Sequence, residues 1–170
     1  DLMRTRVLIV NTPFPLDELP VPPLGLAYLA AALEREGVDV QIFDLLVAQY
    51  SPQALKRRLG EYQPHVVAAT CSTLNYSIAS RILRVCKNFD SNLVTLIGGP
   101  HVSFTANQVI EDAPWIDVVV RGEGEHTLVD LVNSLAYGRD LGQVSGIAFR
   151  RNSEVVVTSP RPLIKELDKL

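Results

Sequence analysis

Cysteine is scarce in this chain. There are two, Cys71 and Cys86, and they do not form a CxxC pair. Two such thiols cannot hold zinc or an iron–sulfur cluster unaided. The low count fits a reducing, cytoplasmic setting, and each cysteine reads as a buried core thiol. Long apolar runs are missing too: none approaches the roughly 20 residues that span a bilayer, and no cationic-then-apolar leader opens the chain. Nor does one sign of charge dominate. Lys and Arg number 16 against 19 Asp and Glu, a net charge of −3. The basic residues are scattered, with short pairs such as Arg57-Arg58 and Arg150-Arg151, so nothing invites nucleic acid or an anionic membrane. The histidines, His65, His101 and His126, lack metal-ligand spacing, which argues against a protein-held metal.

What is present is a large apolar fraction, 47% of 170 residues, enough for one domain with a sizeable core. Apolar strands alternate with amphipathic helices. Residues 6–10 (RVLIV) form a continuous apolar run, the mark of a central parallel strand covered on both faces. A Pro-rich loop from Thr12 to Pro23 leads to a helix at about 24–36, stopped by Gly37. Strand 38–43 follows, then a helix capped by Ser51 with Pro52 at its first position, running to about Leu59 before Gly60. Strand 65–70 precedes a helix whose Ile78, Ile82, Val85, Cys86 and Phe89 share one face. Strand 93–97, a short helix at 105–112 and strand 117–120 come next. A fifth helix then shows Leu128, Leu131, Val132 and Leu135 to the core. Segments 144–149 and 154–157 read as a β-hairpin turning at Arg151-Asn152-Ser153.

Five β-then-α units imply an α/β fold: a doubly wound, flavodoxin-like (Rossmann-like) five-stranded parallel sheet of order 2-1-3-4-5, with a C-terminal β-hairpin. The division expected is an α/β domain over 1–140, a hairpin appendix over 141–158 and a linker over 159–170. In such sheets ligands bind beyond the carboxyl ends of the strands, where strand order reverses. Loops 11–23, 71–75, 98–104 and 121–125 are therefore the candidate site.

Several familiar sites fail there. Asn11-Thr12-Pro13-Phe14-Pro15 offers no GxGxxG, and no Walker loop or GxSxG elbow occurs. Asn11 stands where a phospho-receiver needs a carboxylate. Gly122-Glu123-Gly124-Glu125 places two acids where a pyrophosphate would be repelled. Gly98-Gly99 reads either as a turn needing positive φ or as bare backbone against which a flat ligand can lie. Ser72 reads either as a hydroxyl donor on the same rim or as a helix cap, with Asn75 a second cap candidate. The stiff, apolar first loop suits a large hydrophobic ligand face, a partner domain, or simple cover for the sheet edge.

These segments carry a resemblance. Residues 22–30 (PPLGLAYLA), Gly98-Gly99-Pro100-His101 and residues 117–125 (DVVVRGEGE) together resemble the N-terminal cobalamin-binding domain of radical-SAM enzymes. That group contains B12-dependent methylases and anaerobic tetrapyrrole cyclases. Cobalamin domains of the methionine-synthase type carry DxHxxG, SxL and GG. Here Ser72-Thr73-Leu74 matches SxL and Gly98-Gly99 matches GG. The first motif is absent: with its glycine on Gly25, Pro20 replaces the Asp and Pro22 replaces the cobalt-ligating His.

The resemblance implies a cofactor site drawn from Pro22, Gly25, Ser72, Thr73, Leu74, Gly98, Gly99, Pro100, His101, Gly122 and Glu123, holding base-off cobalamin. Ser72 would hydrogen-bond the dimethylbenzimidazole tail, and the glycine pair would let it pass. The [4Fe–4S] cluster and S-adenosylmethionine would belong to a radical-SAM domain elsewhere in the parent chain, so this segment alone would carry no catalytic residue. Two alternatives stand beside it: a B12-free docking or substrate-recognition domain, and a flavodoxin-like FMN protein. An open channel beside Gly98-Gly99 favours cobalamin, whereas a crevice filled by Phe14, Leu16 or Phe104 favours docking.

Overall fold

The computed structural model describes residues 4–15 and 23–162. In chain order the elements are β1 (Arg6–Asn11), α1 (Leu24–Arg35), β2 (Asp39–Asp44), α2 (Pro52–Tyr62), β3 (Val66–Thr70) and α3 (Tyr76–Phe89). They continue with β4 (Val94–Gly98), α4 (Pro100–Asp112), β5 (Val118–Val120), α5 (Gly124–Ala136), β6 (Ile147–Arg151) and β7 (Glu154–Val157). One seven-stranded sheet runs β2-β1-β3-β4-β5-β6-β7. The first five strands are parallel in the expected order, and order reverses between β1 and β3. The hairpin joins the same sheet, with β6 antiparallel to β5 through Val119↔Ala148. Its turn takes Asn152 and Ser153 at φ 49° and 69°, the two positive values that a tight right-twisted hairpin turn requires.

Strand alternation sorts the core into two layers. Leu8, Val10, Val67, Ala69 and Ile97 face α2, α3 and α4. Val7, Ile9, Val66, Ala68, Leu96 and Val120 face α1 and α5. Every parallel strand feeding a helix returns over one face or the other, so both faces are covered and the strands read as continuous apolar runs.

The Ser51 hydroxyl accepts the Ala54 N–H at 3.0 Å, with Pro52 at the first helical position, as expected. That helix does not stop before Gly60. It continues to Tyr62, whose hydroxyl donates to the Asp39 carbonyl at 2.8 Å, and ends at Gln63 with φ 50°. An internal glycine costs about 1 kcal/mol relative to alanine. Burial of Leu55 and Leu59 and the Tyr62 bond to the edge of the sheet outweigh it. The helix expected at 105–112 begins five residues earlier, at Pro100, and kinks at Thr105 (φ −111°), whose hydroxyl donates to the His101 carbonyl at 3.0 Å. Phe89, expected on the core face of α3, is 45% exposed; Ala79 and Leu83 complete that face instead.

At the amino ends of the strands, Asp117 ties the sheet together. Its carboxylate meets the Lys87 ammonium at 2.6 Å and accepts the Thr95 N–H at 2.8 Å. His65 also lies at this end: its Nδ1 accepts the Arg6 N–H at 2.9 Å, and burial holds its pKa below the usual value. The opposite, carboxyl edge is thereby left to the long loops. After β7, Ser159 accepts the Gly146 N–H at 2.7 Å and Arg161 donates to the Thr127 hydroxyl at 3.0 Å and pairs with Asp130. The first residues of the expected linker are thus fastened to the domain, and 163–170 lie outside the described residues.

Candidate functional site

At the carboxyl edge, between the sheet and the pair α1 and α5, lies a cavity of about 370 Å³. Ile9, Ala68, Leu96 and Val120 supply its sheet side; Ala68 sits in register between Ile9 and Leu96. Leu26 and Leu29 of α1 and Leu128 of α5 supply the helix side. Asn11, Thr70, Gly98, Gly99, Gly122 and Glu125 stand around its mouth. The small side chain of Ala68 and the glycines at the strand ends leave the volume that larger residues would take.

The two glycines of the pair differ. Gly99 has φ 117°, and a Cβ there would stand 2.0 Å from the Cys71 carbonyl oxygen. Glycine is therefore required by a close approach of backbone to backbone. Gly98 has an ordinary φ, and a Cβ would meet Val120 at 3.6 Å, so this residue keeps the cavity wall low. Gly25 has open space where a side chain would project, and so does Gly122, which also has φ 73°. All four line the cavity.

The other expected site residues form a second group across Gly99. The Ser72 N–H donates to Asn75 Oδ1 at 2.8 Å, and its hydroxyl lies 3.3 Å from the same oxygen. The Asn75 amide in turn donates to the Thr12 carbonyl at 3.4 Å, tying the loop after β3 to the loop after β1. Asn75 occupies the cap position of α3 without a side-chain capping bond. Thr73 Oγ1 lies 3.3 Å from His101 Nδ1, and the His101 ring packs 4.9 Å from Tyr76. Leu74 is 62% exposed. Pro100 opens α4, and Glu123, exposed, occupies the N-cap position of α5 without a side-chain capping bond. Pro22 lies outside the described residues.

Sequence reasoning passed over three contributors. Ser103 accepts the Gly122 N–H at 3.0 Å and donates to the Gly99 carbonyl at 3.1 Å, fixing one rim loop against the other. Ala68 matters through its small volume. Glu125 is the one ionisable side chain among the described lining residues. The spacing of Gly122 and Glu125 around the start of α5 was the available signal for the last.

Neither aromatic expected to fill a docking crevice does so. Phe104 is 93% exposed, and Phe14 does not line the cavity; Leu16 lies outside the described residues. Among those residues no group of His, Cys, Asp and Glu could hold a metal ion, and no helix is long and apolar enough to cross a membrane.

A mostly parallel, doubly wound sheet with an apolar hollow at its carboxyl edge defines a ligand-binding α/β domain. The family is more particular. The chain belongs to the B12 binding domain family, whose match covers residues 17–132. It is 38% identical over 149 residues to an uncharacterised methyltransferase of Pyrococcus horikoshii, covering 88% of this chain and 32% of the relative. It is also 38% identical over 153 residues to the anaerobic magnesium-protoporphyrin IX monomethyl ester cyclase of Cereibacter sphaeroides, covering 88% of this chain and 25% of that enzyme. The chain thus spans a third or less of the length of these relatives. Its fold matches part of the radical S-adenosylmethionine methyltransferase TsrM from Kitasatospora setae, solved with cobalamin and a [4Fe–4S] cluster. The TM-score is 0.79 at 24% identity, over 97% of this chain and 30% of TsrM.

Proposed function

We propose that this domain holds cobalamin for a radical-SAM enzyme, with the nucleotide tail detached from cobalt and lodged in the cavity beside Gly98. The observation that carries this reading is the cavity itself: apolar, open at the carboxyl edge, and walled by the glycines at positions 25, 98, 99 and 122. An apolar aromatic base is stabilised there by removal from water, at roughly 25 cal/mol per Å² of apolar area. When bound, cobalamin supplies a cobalt centre for methyl transfer or one-electron chemistry.

This chain's residues bind and orient. Ala68, Leu96 and Leu128 exclude water from the tail, and Gly98 keeps the entrance clear. Ser72, Thr73 and His101 form the polar rim nearest the loop that carries Asn75, available to the corrin side chains or the tail. In sequence, Pro22 replaces the histidine of the DxHxxG motif, so the first loop would offer a bound cobalamin no imidazole. The [4Fe–4S] cluster and S-adenosylmethionine belong to a further domain of the parent chain. Leu24, Tyr28, Leu74 and Phe104, all exposed and all following the carboxyl ends of strands, fit an edge that such a domain covers.

The test is titration of the protein with hydroxocobalamin, then gel filtration and a visible spectrum. Co-elution with a base-off spectrum is expected. Failure to co-elute, repeated with the parent enzyme, would overturn the proposal in favour of a B12-free docking domain.

A further inference from the structure

We infer that Glu125 determines which cofactor end the cavity accepts, taking a hydrogen bond from a ribose hydroxyl of the nucleotide tail; the inference rests on the cobalamin reading above. The cavity offers a ligand little polar choice. The Asn11 amide is committed to Asp44 Oδ1 at 3.0 Å. Most of the remaining lining is aliphatic or glycine. Glu125 stands at the mouth, half-buried, without a hydrogen bond or ion pair to any described residue. It is the second residue of α5, in the first turn of that helix. An ionised carboxylate accepts hydrogen bonds and donates none, so whatever meets it must bring an O–H or N–H.

The nucleotide end of cobalamin matches this division. Its bicyclic base suits the apolar interior, and its ribose carries free hydroxyls between base and phosphodiester. Glu125 therefore reads the sugar, while the Ala68 and Leu96 side receives the base.

The experiment compares hydroxocobalamin with dicyanocobinamide, which lacks the whole nucleotide end, on wild type, Glu125→Gln and Glu125→Ala. Wild type is expected to bind cobalamin more tightly than cobinamide. Glu125→Ala should weaken cobalamin binding roughly ten- to a hundredfold, the scale of a lost hydrogen bond to a charged group, and leave cobinamide binding unchanged. Glu125→Gln, which keeps an acceptor oxygen, should fall between. Unchanged cobinamide affinity shows that the variants are folded. Cobalamin binding by Glu125→Ala equal to wild type overturns the assignment while the B12 site stands. So does equal loss for both corrinoids, which would make Glu125 a structural residue. Wild type that binds neither corrinoid removes the site itself.

Discussion

The two faces of the sheet are built from the same strands yet end differently. Three helices cover one face, and Leu8, Val67, Ile82, Leu83 and Ile97 close it completely. Two helices cover the other, and its upper part stays hollow between α1 and α5. Alternation gives each face one residue in two, so the contrast does not come from the strands' hydrophobicity. It comes from helix number: α2, α3 and α4 pack the closed face, whereas α1 and α5 leave a hollow, lined in part by Ala68 and by glycines at the strand ends. A domain that must receive a large ligand keeps one face for stability and leaves part of the other unfilled.

The sharpest way to break this arrangement is at the junction of the two faces. Gly99→Ala would place a methyl 2.0 Å from the Cys71 carbonyl oxygen at φ 117°. The expected loss is about 3–5 kcal/mol, or failure to fold, measured by urea denaturation. Next, matched truncations sharpen the comparison. Ile82→Ala, on the closed face and fully buried, should cost about 3 kcal/mol because it opens a cavity where none exists. Leu29→Ala widens an existing hollow and should cost about 1 kcal/mol. Equal costs would mean that the hollow is closed in solution. Filling is the complement. Ala68→Leu should change stability by no more than about 1 kcal/mol, since its side chain enters open space, yet abolish retention of hydroxocobalamin on gel filtration. Retention at wild-type level would place the tail elsewhere.

The architecture was legible because its causes are local and periodic. Continuous apolar runs announced covered parallel strands, Ser51-Pro52 announced a helix start, and the two short apolar segments joined at Arg151-Asn152-Ser153 announced the hairpin. Errors arose where a distant partner decided the outcome. Gly60 looked like a stop, but Leu55, Leu59 and the bond from Tyr62 to Asp39 carry α2 past it. Gly98-Gly99-Pro100 looked like a loop, although proline at a first helical position is itself a start signal. Phe89 followed the spacing of α3, yet it lies at the helix end, where the sheet no longer covers it. The four glycines of the site were readable as a pattern. The reason for each was not: Gly99 answers to the Cys71 backbone, Gly98 to the cavity. Ser72 could not be placed from the sequence, because its partner Asn75 fitted the role of helix cap equally well. Ala68 gave no signal, since a small residue in an apolar strand reads as ordinary core.

The smallest effect expected concerns the two cysteines, both in the closed layer. Burial pushes each thiol up to about 12, against about 8.5 for a free thiol. Above pH 8.5 the unfolded chain releases these protons while the folded chain keeps them. The unfolded state then binds fewer protons, so stability falls as pH rises, beginning near 8.5 and continuing toward 12. Tyr62, also raised by burial and by the nearby Asp39 carboxylate, adds to the same trend at the upper end. Urea midpoints between pH 8 and 10.5 should therefore decline, and Cys86→Ala should flatten part of that decline while lowering the midpoint at pH 7 only modestly. In parallel, a thiol reagent at pH 8 should leave the native protein unlabelled and label both cysteines after unfolding. Rapid labelling of Cys71 alone would show that the edge beside Gly99 opens, and that the packed face is closed at its centre but not where it meets the site.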